Sequence, residues 1–205
     1  MINFERVGDW GKARRILRAA PERVKKAGRR AMLQEMHLLR RFIVEGIRGQ
    51  NPGGKRMRPL AKSTLATRRI RTTGRRTRAS SKALIQEGDL MGSIAVIQKG
   101  TTFFVGVHRQ TKSSTGRSMV DIAKINEFGS RPIVIPITPA MRRFLGILFR
   151  HLKRPTAGSG RGVVVVVIPP RPFMRPAFEN WIGQLKPRFF ARVAGQLPEL
   201  RSGGA

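Results

Sequence analysis

The chain has 205 residues, with 42 Lys and Arg against 11 Asp and Glu, for a formal net charge of +31. This length suffices for one ordinary domain with a hydrophobic core, but the charge exceeds what a soluble monomer needs. The charge predicts a polyanionic partner, most simply nucleic acid, or neighbouring subunits that neutralise it in a permanent assembly.

The lack of cysteine excludes disulfides and thiolate metal sites. No apolar run approaches the ~20 residues of a membrane span, and the first residues lack the apolar core of a signal peptide, so we expect synthesis in the cytoplasm and no membrane partner.

Residues 11–47 have the apolar periodicity of helices. Pro21 suits a first helical turn better than an interior one, which predicts a short helix up to about Ala19 and a long one from Pro21. Gly46, Gly49 and the turn residues after them are expected to end it. The polar face is strongly basic, so it is either a solvated helix face or a surface that lies on a polyanion. The periodic residues are Ile16, Ala20, Val24, Ala27, Ala31, Leu38 and Phe42.

Residues 48–83 are predicted to form a long basic loop in extended conformation. No acid occurs between Glu45 and Glu87, and few large apolar residues interrupt the cations, so the segment cannot fold alone. One helical turn is expected at 63–67. The absence of aromatic residues argues against base stacking, so contact with nucleic acid should be salt-sensitive and independent of sequence. The residues expected to face a polyanion are Lys55, Arg56, Arg68, Arg69, Arg71, Arg75, Arg76 and Arg78.

Residues 84–197 are predicted to form an α+β core. Gly88 and Asp89 suit the start of a short helix, and residues 93–98 and 102–108 suit a β-hairpin. Residues 120–128 have helical spacing, with Gly129 as the C-terminal cap. Residues 133–137 suit a short edge strand, because Pro132 and Pro136 cannot donate hydrogen bonds to a sheet.

The remaining core elements surround a proline-rich arm. Thr138 and Pro139 suit the cap and first position of a helix that ends near Arg154. The β-branched run 163–168 predicts a buried strand, and Gly158-Ser-Gly-Arg-Gly162 before it predicts a turn. Prolines in residues 169–176 predict a stiff extended arm, and a last helix starts near Pro176 with a kink at Pro187.

The residue types of enzyme active sites are scarce. His37, His108 and His151 fall in unrelated elements, and no phosphate-binding loop or hydrolase motif is present. Glu87 and Asp89 lie near each other in the sequence, as do Asp121 and Glu127, and neither pair has a neighbouring His or Cys. The sequence therefore predicts no enzyme, no cofactor and no metal site.

Four segments together resemble the virion morphogenesis and tail-completion (neck) proteins of tailed bacteriophages. They are Lys62-Ser-Thr-Leu-Ala-Thr67, Leu84-Ile-Gln-Glu-Gly-Asp-Leu-Met-Gly-Ser-Ile94, Ala123-Lys-Ile-Asn-Glu-Phe-Gly129 and Ile168-Pro-Pro-Arg-Pro-Phe-Met-Arg-Pro-Ala-Phe178. Their order and spacing agree with the family over about residues 10–195, and the last two segments are the more specific. The sequence departs at Asn126, where His is more usual, and in an inserted block at 133–154.

The resemblance implies a structural, non-enzymatic role at the head–tail junction of the virion. It implies a homo-oligomeric ring that contacts other neck and tail proteins (terminator, tube and connector). The expected fold is α+β in a single domain spanning residues 1–205. It has a long N-terminal helix, a small mostly antiparallel sheet flanked by helices, the basic loop, and a loose tail at 198–205.

Two questions remain open at this point. The arm is either an inter-subunit contact or an intramolecular strap over the core, and the basic loop faces either packaged DNA or an acidic protein ring. The alternative function is a sequence-nonspecific nucleic-acid-binding protein. The residues predicted for the inter-subunit contact are Arg171, Pro172, Phe173, Met174, Arg175, Glu127 and Phe128.

Overall fold

The computed structural model describes residues 10–72, 80–86, 88–113, 116–152 and 162–197. Within these ranges the fold is α+β, with six α-helices and two separate two-stranded antiparallel sheets. The predicted fold class is confirmed, although two small sheets replace the single one expected. The helices are α1 (Trp10–Gly49), α2 (Lys62–Thr72), α3 (Asp89–Ser93), α4 (Met119–Phe128), α5 (Pro139–His151) and α6 (Arg175–Gly195). The strands are β1 (Ile94–Lys99), β2 (Thr102–Val107), β3 (Ile133–Pro136) and β4 (Val163–Val166).

Helix α1 is the longest element of the fold. It runs unbroken for 40 residues with Pro21 inside it, so the predicted break before Pro21 is wrong. A proline removes one N–H from the helix ladder, and here it does so at an exposed position within a long run of helix-forming residues. The C-terminal half of α1 supplies Leu39, Ile43 and Ile47 to the core, each at most 2% exposed.

The β1–β2 hairpin packs beside this half of α1, and α4 packs against α3 and β2. Strand β1 pairs with β2 from Ile94 opposite Val107 to Lys99 opposite Thr102, which confirms the predicted hairpin. Ile94 and Met119 are each 1% exposed and belong to the same core cluster as Leu39 and Ile43. The predicted cap at Gly129 is also confirmed, since its N–H donates to Ile125 O at the end of α4.

Helix α6 runs antiparallel to α1 and covers its other side. Trp181 lies 5.4 Å from Phe42, measured between ring centroids. Further along, Arg192 contacts Glu35, a carboxylate that is fully buried. Helix α6 is assigned as one helix through Pro187.

In its described parts, residues 48–72 and 80–83, the basic segment is folded rather than extended, which corrects the prediction there. A 3₁₀ turn at Pro52–Gly54 packs on the start of α6, where a Cβ on Gly53 would lie 2.1 Å from Pro176 O. Helix α2 has 11 residues instead of a single turn. The Gln50 side chain donates to Ala83 O at 3.0 Å and accepts from Ala83 N at 2.7 Å, which joins the two ends of the segment. Hydrogen bonds between residues this far apart in the sequence cannot be predicted from the composition of the segment.

Both strands of the β3–β4 ribbon were predicted correctly as strands, but the burial predicted for the second one was wrong. Ile133 pairs with Val166 and Pro136 with Val163. Three of the four residues in each strand are exposed, so the predicted burial of the valine strand is wrong. The predicted start of α5 is confirmed, because the Thr138 hydroxyl accepts from Met141 N and Pro139 follows it. That helix ends at His151, before the predicted Arg154. Most of the predicted turn at 158–162 lies outside the described residues.

Candidate assembly surface and basic surface

The Glu127 carboxylate fixes the proline-rich arm at the point where α6 begins. Its Oε2 accepts from the backbone N–H groups of Phe173 at 2.9 Å and Met174 at 3.1 Å. Its Oε1 accepts from the N–H of Arg175 at 2.8 Å. The first N–H groups of a helix have no partner within the helix, and they carry the positive end of its dipole. A carboxylate from α4 therefore serves as the cap that α6 lacks, since Met174 at the cap position makes no side-chain cap bond.

The backbone around Gly129 continues this contact. Gly129 has φ of +85°, and a Cβ there would lie 3.1 Å from Ile168 O. Ser130 donates its N–H to Ile168 O at 2.9 Å, and its hydroxyl accepts from Ile168 N at 2.9 Å. Arg171 N donates to Asn126 O at 2.6 Å. The two more specific segments of the family resemblance are thus a single hydrogen-bonded unit, which we call the arm lock.

The arm itself lies in the core of its own chain. Phe173 is 0% exposed and Arg171 is 7% exposed. The Arg171 guanidinium donates from Nε to Arg58 O at 3.0 Å and from Nη2 to Pro59 O at 3.1 Å. Burial lowers the pKa of Arg171, and the positive charge of Arg58 lowers it further. Phe173 and Arg171 are therefore packed within their own chain, as expected for an intramolecular strap over the core.

The other residues predicted for an inter-subunit contact differ in exposure. Phe128 is 74% exposed, although it lies between Glu127 and Gly129 of the arm lock. Pro172 and Arg175 are exposed, and Met174 is half-buried. Contact of these residues with a neighbouring subunit stays a prediction.

Arg175 belongs to a small ion-pair network on Glu179. The Glu179 carboxylate lies 2.9 Å from Arg175 Nε and 3.4 Å from Lys55 Nζ. Hydrogen bonds from Arg175 and Lys55 lower the pKa of Glu179. Lys55 is therefore exposed but partly neutralised within the chain.

The β3–β4 ribbon presents an exposed apolar surface that sequence reasoning missed. Val134 and Val165 lie opposite each other, and alternation places Val163 on the same side. Val134, Val163, Val165 and the following Val167 are 59%, 58%, 56% and 57% exposed. We call these four residues the valine face. The signal available in the sequence was the pair of prolines at 132 and 136, which predicted an edge strand; a strand that pairs with an edge strand has few other neighbours to bury it.

A second apolar surface lies on α6. Phe178, Ile182 and Phe190 are 50%, 52% and 61% exposed. Phe178 borders a groove between α1, β2 and α6 that is also lined by Met36 and Phe103. Isolated exposed apolar residues are normal, whereas contiguous ones mark contact surfaces.

The predicted polyanion-facing residues divide into exposed and buried ones. Lys55, Arg56 and Arg69 are exposed. Arg68 is 9% exposed, so the expectation of a surface side chain is wrong there. Its Nη1 donates to Ser80 O and to Lys82 O, each at 2.8 Å. Arg71 lies in α2, but its side chain, like residues 75, 76 and 78, lies outside the described part of the chain.

Among the side chains that the structure describes, helix α1 carries the largest exposed set of cations. Glu22 is close to one of them, 3.7 Å from Lys25 Nζ. Cations spaced along one long helix form an extended positive surface, the kind that attracts nucleic acid. The exposed cations in this part of α1 are Arg18, Arg23, Lys25, Lys26, Arg29 and Arg30.

Asp121 and Glu127 lie in different environments in the structure. Glu127 is engaged by the arm as described, and Asp121 is exposed in the first turn of α4. In the described ranges, no three His, Asp or Glu residues lie close enough together to hold a metal ion. None of the helices described has both the length and the apolar content required to cross a membrane.

Comparisons with protein-family models, with curated proteins and with solved structures each found no match. The family resemblance therefore rests on the four sequence segments named above.

Proposed function

We propose that the protein is a structural, non-enzymatic component of a tailed-phage virion, which assembles as a ring at the head–tail junction and joins or completes the tail. The observation that carries the proposal is the valine face. Its four residues are each more than half exposed, on a ribbon of two strands. Two strands alone are marginal in water, and permanent interfaces are more apolar than ordinary surface. A neighbouring subunit that covers the valine face supplies the missing burial.

The charge of the chain fits the same role. A net charge of +31 in one 205-residue chain repels itself, and contact with acidic neighbours or packaged DNA relieves this repulsion. The expected partners are further copies of the chain, other neck and tail proteins such as the terminator, tube and connector, and DNA. The protein is then made in the host cytoplasm and resides in the virion.

The arm lock supports a structural role rather than a catalytic one. It joins the two more specific segments of the resemblance through Glu127, whose two carboxylate oxygens accept three backbone hydrogen bonds. A carboxylate used in this way positions α6 against α4. Phe128 beside it remains exposed for a contact outside the chain.

Sedimentation and native mass spectrometry of purified protein test the assembly. We expect a closed oligomer for the wild type, and an association constant about ten-fold lower for Val165→Asn, since burial of one valine is worth about 1.5 kcal/mol. Val24→Asn is the matched control, because Val24 is 47% exposed on α1, outside the ribbon. A strictly monomeric wild-type protein that is also absent from purified virions by mass spectrometry would contradict the proposal.

The alternative is a free, sequence-nonspecific nucleic-acid-binding protein, favoured by the exposed cations of α1 together with Lys55, Arg56 and Arg69. A titration of duplex DNA against salt decides it. Steep loss of affinity with salt, equal for unrelated sequences, supports binding through phosphates. Absence of binding at low salt rules this alternative out and leaves protein neighbours as the partners of the basic surface.

A further inference from the structure

A groove runs along α1, with α6 and β2 as its walls. It consists of three cavities of about 340, 490 and 380 Å³. The first two share Met32 and the last two share Phe178, so the three are continuous, and we call them together the apolar groove. The groove follows α1 from Lys25 to Ile43, which is about 27 Å at 1.5 Å per residue. It is therefore long enough for about five turns of a second helix.

The lining of the apolar groove is open to solvent and adaptable in shape. Phe178 and Ile182 are 50% and 52% exposed. Met32, Met36 and Met174 add thioether side chains, which are flexible and adjust to different partners. Contiguous exposed apolar residues mark contact surfaces, and a hydrophobic groove suits the apolar face of an amphipathic helix.

The charge around the apolar groove favours an acidic occupant. Among the described residues, those that line it include four cations, namely Lys25 and Arg29 on α1 and Arg175 and Lys186 on α6, and no Asp or Glu. Lys25 and Arg175 lie 3.7 and 2.9 Å from carboxylates of the chain, whereas Arg29 and Lys186 form no ion pair with another described residue. A second copy would bring a further net charge of +31 to this surface, so complementarity points to a different protein.

We propose that the apolar groove binds an amphipathic helix of a different protein, whose apolar stripe is flanked by Asp and Glu. The stripe lies on Met36, Phe103 and Phe178, and the flanking carboxylates lie against Arg29 and Lys186. The proposal does not rest on the ring assembly, since none of the residues that line the groove belongs to the β3–β4 ribbon.

Fluorescence anisotropy of a labelled peptide, titrated with the full-length protein at constant ionic strength, tests the proposal. The peptide has about 18 residues, with Leu at i, i+3, i+4 and i+7 and Glu beside this stripe. One control peptide has Lys in place of Glu, and another has the acidic composition in an order that scatters the Leu residues. We expect saturable binding of the first peptide, about ten-fold weaker binding of the scattered one, and no binding of the Lys peptide. Equal binding of the two acidic peptides would mean diffuse attraction to a basic protein and would overturn the proposal, as would the absence of saturable binding.

Phe178→Ala tests the apolar wall that two of the cavities share. We expect its affinity for the acidic amphipathic peptide to be about ten-fold lower than that of the wild type. Phe104→Ala is the matched control, because Phe104 is 51% exposed on β2 and lines none of the three cavities. Equal affinities of the two variants would exclude the groove as the binding site.

Arg29→Gln tests the charge and, as a change at an exposed residue, leaves the core intact. We expect an affinity about three-fold lower, the effect of one exposed ion pair. Arg30→Gln is its control, because Arg30 is the exposed neighbour on α1, loses the same charge and lines none of the three cavities. Equal losses would assign the effect to net charge and would count against the proposal. Weaker self-association of Phe178→Ala in sedimentation, with no peptide binding by the wild type, would assign the groove to a second copy instead.

Discussion

Two neighbouring stretches of this chain have exchanged the environments that their compositions suggest. Residues 163–167 are all valine, yet Val163, Val165 and Val167 are more than half exposed. Residues 171–177 contain two arginines and two prolines, yet Phe173 and Ala177 are 0% exposed. Most of the apolar stretch lies on the surface, whereas the polar, proline-rich stretch supplies Phe173 and Ala177 to the core.

The difference lies in what each stretch can pair with. Among the described residues, β4 pairs with β3 alone. The arm is held by Glu127, Asn126 and the carbonyls of Arg58 and Pro59. Buried polar groups are tolerated when their hydrogen bonds are satisfied, whereas an apolar run is buried only if another surface covers it. The arm is therefore packed within its own chain, whereas the valine face of the ribbon is left uncovered by the described residues.

The largest effect that tests this comparison is expected at Phe173. Phe173→Ala leaves a cavity beneath the arm, and we expect a loss of about 4 kcal/mol in the free energy of unfolding, measured with guanidinium chloride. Phe190→Ala is the control, because Phe190 is 61% exposed on α6, and a loss below about 1 kcal/mol is expected. Similar losses for the two variants would mean that the arm is not part of the core.

A smaller effect is expected at Glu127. Glu127→Gln replaces a charged acceptor of three backbone N–H groups by a neutral amide that accepts through one oxygen. We expect a loss of about 2 kcal/mol in the free energy of unfolding. Asp121→Asn removes an exposed carboxylate from the same helix and should cost about 0.5 kcal/mol or less. A Glu127 variant as stable as the Asp121 variant would contradict the role of Glu127 as the cap of α6.

The pH dependence of stability tests the outer end of the arm, with a smaller effect again. The pKa of Glu179 is lowered from its ordinary value of 4.5 by Arg175 and Lys55. Since the folded pKa lies below the unfolded one, the stabilisation is present above pH 4.5 and is lost as the pH falls through the folded pKa. The difference in stability between wild type and Glu179→Gln should therefore shrink on acidification. A constant offset at every pH would show that the ion pairs with Arg175 and Lys55 contribute nothing.

Local chemistry predicted the ends of several elements correctly. Gly129 at the end of α4, and Thr138 with Pro139 at the start of α5, have the predicted roles because capping depends on the residue itself and its near neighbours. The predicted break at Pro21 was wrong, and so was the extended conformation predicted for residues 48–72 and 80–83, because contacts with distant residues and the continuity of a long helix outweighed local preference.

The sequence indicated several residues of the arm lock, but it did not indicate which groups they would contact. Glu127 and Arg171 were both singled out, yet the capping of α6 by Glu127 joins residues 46 to 48 positions apart. One clue was available, since the start of α6 has Met174 where a capping side chain is usual. Arg68 was expected on the surface, and periodicity in a short helix gave no sign that carbonyls at 80 and 82 would turn it inward.

The smallest effect on stability is expected for a substitution in the ribbon. How this effect changes with protein concentration shows whether the ribbon binds a neighbouring subunit. Val165 is 56% exposed, so Val165→Asn should change the free energy of unfolding of the dilute, dissociated chain by about 0.5 kcal/mol or less. At concentrations where the wild type assembles, subunit binding stabilises the folded state by mass action, and its thermal midpoint rises with concentration. We expect the midpoint of Val165→Asn to rise less, and that of Val24→Asn to follow the wild type. If Val165→Asn instead destabilises the dilute chain as strongly as Phe173→Ala, the ribbon is packed within its own chain and the contrast with the arm disappears.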